Sequence, residues 1–344
     1  MNSRWICVAA TGALAVASAF AQSAADSKPA SKKAWSAPRL ADGHPDLQGT
    51  WTNATLTPLE RPAQFANQPF LTKEETAKAE AQARGLYTDV RNPNAERDRD
   101  HAYNSLFFDR GQNYAVVDGQ VRSSLIVDPP DGKIPRVPGA RAMALRRAAA
   151  AAAGDEGAGA QAVIGRFDSV KDRPLGERCL LGFGSTSGPP MMPVLYNNNY
   201  QIVQTPDRIM ILVEMVHDVR LIRMNSEHLP GSIRKWLGDS VGHWEGDTLL
   251  VDTTNFTDKT HYQGATRDLH VMERFKRVDD HTILYRFTVE DPKAFTRAWS
   301  AEYPFLATPG PIYEYACHEG NYAMPDILGG ARKEDDAAKK GSTK

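Results

Sequence analysis

From about residue 195 onward the chain alternates between apolar and polar positions, the period-two pattern of a half-buried β-strand. Tyr200 to Gln204 reads as a strand before a Pro206-Asp207 turn, and Arg208 to Met224 as one long β-rich run. Trp244 to Val251 reads as a turn feeding a strand. His270 to Val278 and Thr282 to Glu290 alternate around Asp279-Asp280 and predict a hairpin. Phe295, Trp299 and Tyr303 keep step in a further strand, and Tyr313 to Tyr322 reads as a last strand or strand-like segment. Ser232 to Leu237 predicts a helical turn stopped by Gly238.

The first half is less regular. Leu47 to Trp51 predicts a first strand. A helix is expected over 72–84, with Thr72 and Glu75 as a capping box and Gly85 as its stop. Ser123 to Val127 is a short apolar strand ended by Pro129-Pro130-Asp131-Gly132. Ala140 to Ala153 has helical composition without an apolar stripe, so a surface helical insertion near 140–160 is expected. Many short strands, tight turns and few helices predict a mainly β fold: an antiparallel β-barrel or strongly curved sheet with a few peripheral helices and long loops.

The N-terminus changes the picture of where the chain works. Arg4, an apolar run from Trp5 to Phe20, and Ala19 and Ala21 as an A-x-A site form a secretory signal, predicting cleavage after residue 21. Residues 22–40 read as a flexible leader, 41–330 as a single β-rich domain and 331–344 as a disordered tail. Periplasmic or secreted localisation follows, and no stretch is fit to span a membrane. Cleavage leaves two cysteines, Cys179 and Cys317, which in an oxidising compartment predict one disulfide. Lys plus Arg is 41 and Asp plus Glu is 42, so no basic field exists to draw nucleic acid.

Standard catalytic and cofactor signatures are absent: no G-x-S-x-G, P-loop, H-E-x-x-H or G-x-G-x-x-G occurs. Three polar clusters interrupt the strand pattern instead. In the first, period two puts Glu214, Asp218 and Arg220 on one face and His217 on the other, an acid–base site or a salt-bridge row. In the second, His270 and Arg274 share a face, while Glu273 sits with Val271 and Phe275, an apolar setting that suits a carboxyl to general acid or base work. The third, Tyr313 to Tyr322, holds Tyr315, Cys317, His318, Glu319, Asn321 and Tyr322. His217, Asp218, His270, His318 and Glu319 are metal-type donors without ligand spacing, so no metal and no cofactor is expected.

Gly49 and Trp51 are similar to the G-x-W start of lipocalin-like barrels. Pro45 to Trp51, Ser124 to Gly132, Trp244 to Leu249 and Tyr313 to Tyr322 together resemble a large family of exported bacterial proteins, over most of the mature chain apart from the Ala-rich insertion. That family occurs in bacteria rich in polymer- and aromatic-degrading functions, and lyases of lignin-derived aromatic dimers stand near it. The resemblance implies catabolism but supplies no catalytic residue to carry over.

The expectation is an exported, cofactor-independent lyase or isomerase that holds a small, partly aromatic molecule in a barrel pocket. Glu273 or His318 would take the proton, and Arg220 or Arg274 would stabilise developing negative charge. Trp244 and Tyr315 would stack on the ligand. The alternatives are a lipocalin-like periplasmic binding protein without catalysis and a structural envelope protein.

Overall fold

The computed structural model describes residues 35–85, 109–140, 170, 173, 175–182, 188–257, 262–320 and 322–341. The segment read as a secretory signal, most of that read as a leader and most of the expected 140–160 insertion lie outside these residues. Thirteen strands and two helices are described, in the order β1 (Gly49–Thr52), β2 (Phe70–Leu71), α1 (Lys73–Gly85), β3 (Val116–Val117), β4 (Gln120–Arg122), β5 (Ile126–Asp128), β6 (Asn199–Gln204), β7 (Arg208–Val213), β8 (Val219–Met224), β9 (Asp239–Glu245), β10 (Thr248–Thr254), β11 (His270–Asp279), β12 (Thr282–Glu290), β13 (Trp299–Ala307) and α2 (Ala323–Gly341).

Strands β1 and β6 to β13 pair in sequence order, and β13 returns to β1, closing a nine-stranded barrel. Strand β5 adds to the β13 edge alongside β1. The expected mainly β barrel with few helices is therefore the observed fold. All pairs are antiparallel except β8 and β9, which run parallel with Ile222 opposite Ser240. A parallel pair needs a long crossover, and residues 225–238 supply it.

The alternating pattern sorts side chains as expected. Val271 and Phe275 on β11, Ile283, Tyr285, Phe287 and Val289 on β12, and Trp299, Ala301, Tyr303 and Phe305 on β13 are all fully buried. Tyr285 packs on Phe275, Phe287, Tyr303 and Phe305 with ring centroids 4.9 to 5.8 Å apart. The barrel centre is thus an aromatic core filled by its own side chains.

The two ends of the barrel differ. At one, the turn end, β6–β7, β9–β10 and β11–β12 are joined by tight turns. At the other, the loop end, lie residues 255–257 after β10 and those just before β11, the connection 291–298, the β7–β8 connection and the segment leading into β6. Met191, on that segment, is fully buried in the core. Outside the barrel, β2, β4 and β3 form a small sheet. With α1 it encloses a second cluster of Leu71, Ala79 and Tyr114.

The capping box at α1 forms as read: the Thr72 hydroxyl accepts from Glu75 N–H at 3.2 Å, and the Glu75 carboxylate accepts from Thr72 N–H at 2.8 Å. Four local expectations are corrected. The run 208–224 is two antiparallel strands, because residues 214–218 turn the chain. Residues 232–237 carry no helix. Residues 313–320 form no strand; they follow β13 away from the ladder and end in turns. Much of the expected disordered tail is the helix α2, whose Asp326 in the first turn and Lys339 and Lys340 in the last complement the helix dipole. Gly329 and Gly330 inside it argue against a helix by propensity alone.

Candidate active site

Glu273 and Arg220 face each other across the barrel interior, as the strand phase requires. Arg220 Nη1 donates to Glu273 Oε1 at 3.0 Å and Nη2 to Oε2 at 2.6 Å. The Tyr285 hydroxyl donates to the same carboxylate at 2.7 Å. Burial works against the Arg220 charge, but the Glu273 carboxylate outweighs it and holds the guanidinium above its ordinary pKa. Burial and the Glu273 charge push the Tyr285 hydroxyl well above the usual phenol range.

From there hydrogen bonds run toward the loop end. Met191 N–H donates to the Tyr285 hydroxyl at 3.1 Å, and the Met191 carbonyl accepts from Tyr303 and from Asn53 Nδ2. Asn53 Nδ2 also reaches the Tyr200 hydroxyl at 3.1 Å. Burial raises Tyr200, and both Arg220 and Glu214 act on it electrostatically. Asn53, Tyr200, Tyr285 and Tyr303 carry no motif; a strand pattern reads the tyrosines simply as core.

Glu214 is buried at the loop end. Its Oε2 accepts from Asn199 Nδ2 at 2.7 Å, which ties the β7–β8 turn to the start of β6. The turn is strained: Val216 and His217 have φ of 57° and 44°, a left-handed region that non-glycine residues avoid. This conformation buries Val216 and leaves His217 exposed. Backbone strain of this kind collects at functional sites.

Two separate ties draw the third polar cluster to the same end. Cys179 and Cys317 form the expected disulfide, with Cα atoms 5.7 Å apart. Three residues beyond Cys179, Gly182 N–H donates to Asp218 Oδ2 at 3.2 Å. Tyr315 stacks on Tyr196, which leads into β6, with centroids 6.4 Å apart. Burial, followed by the Tyr196 hydroxyl, pushes Tyr315 up to about 12. The first and third clusters therefore share the loop end, with His217, His318 and Glu319 exposed there and Asp218 half-buried.

Other expected site residues fall elsewhere. Arg274 lies on the outer wall, 3.3 Å from Glu245, because adjacent strand positions point to opposite faces and Glu273 takes the inner one. It has no access to the interior pair. His270 is also on the outer wall, against Asp252 and Glu290. Trp244 stacks on His44 at the turn end, with centroids 5.0 Å apart. Trp244 and Tyr315 thus sit at opposite ends, and one small ligand cannot contact both. Tyr322 is 77% exposed. Asn321 lies outside the described residues.

The aromatic core leaves the described clefts on the flank of the barrel, not in its centre. One of about 440 Å³ is lined by Leu56, Pro62, Ala83, Tyr114 and Met192, with Arg110 beside them. Among the described residues no group of three or more His, Cys, Asp or Glu is arranged to hold a metal ion. No family model, characterised protein or solved structure matches this chain.

Proposed function

We propose that this chain is an exported enzyme that carries out acid–base chemistry, an elimination or an isomerisation, on a small, partly aromatic molecule at the loop end of the barrel. The observation that carries the reading is the pair of ties, Cys179–Cys317 and Gly182–Asp218, which bring two groups of acid–base side chains to one barrel end. His217, held out by the strained turn, is the base that takes a proton from carbon; His318 or Glu319 returns one to the leaving oxygen or to the neighbouring carbon. Tyr315 offers the aromatic wall. The interior pair Arg220–Glu273 is the frame beneath, since both groups are already satisfied and sealed from solvent.

Export is supported by the N-terminal signal pattern and by the disulfide. No helix among the described residues is long and apolar enough to cross a membrane.

The test is turnover of a panel of aromatic dimers by the mature protein, His217→Ala and His318→Ala. Conversion by the wild type, lost in both folded variants, supports the enzyme. Conversion unchanged in both removes this site. The flank cleft of about 440 Å³ favours a second reading, a small-molecule binding protein, being within the size range of ligand sites. That reading predicts a retained organic mass in native mass spectrometry, no conversion, and binding that survives both substitutions.

A further inference from the structure

Two clefts adjoin on the barrel flank, at the seam where the barrel closes. The first, of about 440 Å³, is the one described above. The second, of about 490 Å³, is lined by Thr52, Asp109, Val116, Pro304, Leu306 and Thr308. Thr55 and Tyr114 line both, so the two are lobes of one groove that meet at these residues.

The seam has a cause in the sequence. On one side of β13, β5 pairs at Ser300 and Ala301, and β1 pairs at Leu306 and Ala307. Alternate residues of a strand turn their N–H groups to that side: Glu302 donates to the Leu125 carbonyl and Thr308 to that of Thr50. Position 304 falls between the two partner strands, where a ladder N–H would lose its acceptor. Proline has no N–H to satisfy, so the strands can part there at no cost in donors.

The lining suits one kind of molecule. Leu195 in the first lobe and Val116 and Leu306 in the second are large apolar side chains, 37%, 50% and 44% exposed. The apolar surface of a ligand would take them out of water. The charged residues in the described lining are Asp109 and Arg110, opposite in sign and adjacent in sequence, so an ion is attracted by one and repelled by the other. Burial, followed by the Glu80 charge, raises the Tyr114 hydroxyl and keeps it neutral. An ionised group would give up its water here without a matching charge.

We propose that the seam groove is a binding site for an elongated, uncharged, mainly apolar small molecule that spans both lobes. This deepens the second reading above and rests on it: that reading needs only the first cleft, whereas this one needs both. Each lobe is within the size range of ligand sites. His217 and His318 are not in the described lining, so the groove is separate from the loop-end site.

The experiment is calorimetric titration of the mature protein with para-benzyloxybenzamide, its carboxylate counterpart para-benzyloxybenzoate, and the single-ring benzamide. The two-ring amide should bind. The carboxylate should bind about tenfold more weakly or worse, since its charge must be desolvated. Benzamide, which fills one lobe, should bind severalfold more weakly than the two-ring amide. Ala83→Trp at the first lobe and Val116→Trp at the second should each weaken the two-ring amide severalfold, with circular dichroism confirming the fold. Equal or tighter binding of the carboxylate, or weakening by Ala83→Trp alone, overturns this inference while the second reading stands. No binding of any probe overturns it as well, and a retained organic mass then decides the second reading by itself. Dimerisation that Val116→Asp abolishes gives the groove to a second copy and overturns it too.

Discussion

Arg220 and Glu273 meet in a two-pronged ion pair at the centre of the barrel, with side chains 1% and 0% exposed. They come from strands on different parts of the barrel wall, β8 and β11. Each neutralises a charge that the aromatic core could not hold alone.

Removing one partner should therefore cost far more than removing both. Glu273→Gln leaves Arg220 buried and uncompensated, and is expected to destabilise by about 3–5 kcal/mol. Adding Arg220→Met removes the stranded charge, while the amide introduced in place of the carboxylate still accepts from Tyr285. Most of the loss should be recovered. Urea unfolding of the single and double variants checks this, and equal losses in both would contradict it.

Asp239 should mark the acid limit of stability. Burial opposes its charge, but the Leu229 N–H, Lys235, His228 and Arg223 together hold it at about 2 against an ordinary 3.8. A depressed carboxylate stabilises above its unfolded pKa and loses that contribution as pH falls through the folded one. About 2 kcal/mol should disappear between pH 4 and pH 2. Asp239→Asn should be less stable at pH 6 and show a smaller loss over that interval in denaturant titrations.

The disulfide closes a span of 138 residues. In the chain-entropy model a loop of that length is worth about 5 kcal/mol. Cys179→Ser with Cys317→Ser should lower the thermal midpoint markedly. If the site is at the loop end, turnover should fall further than the lost stability explains, at a temperature where the variant remains folded. Calorimetry and activity on the same preparation separate the two effects.

The strained turn offers an opposed pair of effects. His217→Gly places a glycine where φ is 44° and should change stability by no more than about 1 kcal/mol, in the stabilising direction, because the left-handed penalty is removed. Turnover should be lost with the imidazole. A large destabilisation by this exposed substitution would mean that His217 supports the fold instead.

Much of this protein is legible in the chain itself. Alternation buried Val271, Glu273 and Phe275 together and sent His270 and Arg274 outward, because side-chain direction in a strand follows from period two alone. Two cysteines outside the apolar N-terminal run were enough to pair Cys179 with Cys317. The capping box located α1 because its hydrogen bonds are local.

What tertiary structure decided is which of these residues meet. The β7–β8 turn has no glycine, proline or asparagine at Val216 and His217 to announce it, so the reversal at 214–218 depends on the neighbouring strands and on Glu214 bonding to Asn199. That reversal sets Arg220 on the strand whose inner face meets Glu273. The placement of Trp244 and Tyr315 at opposite ends, and of His228 between Asp239 and Asp252, depends on barrel closure and on a crossover between parallel strands. Local pattern encodes which way a side chain points; only the pairing of distant strands determines what it points at.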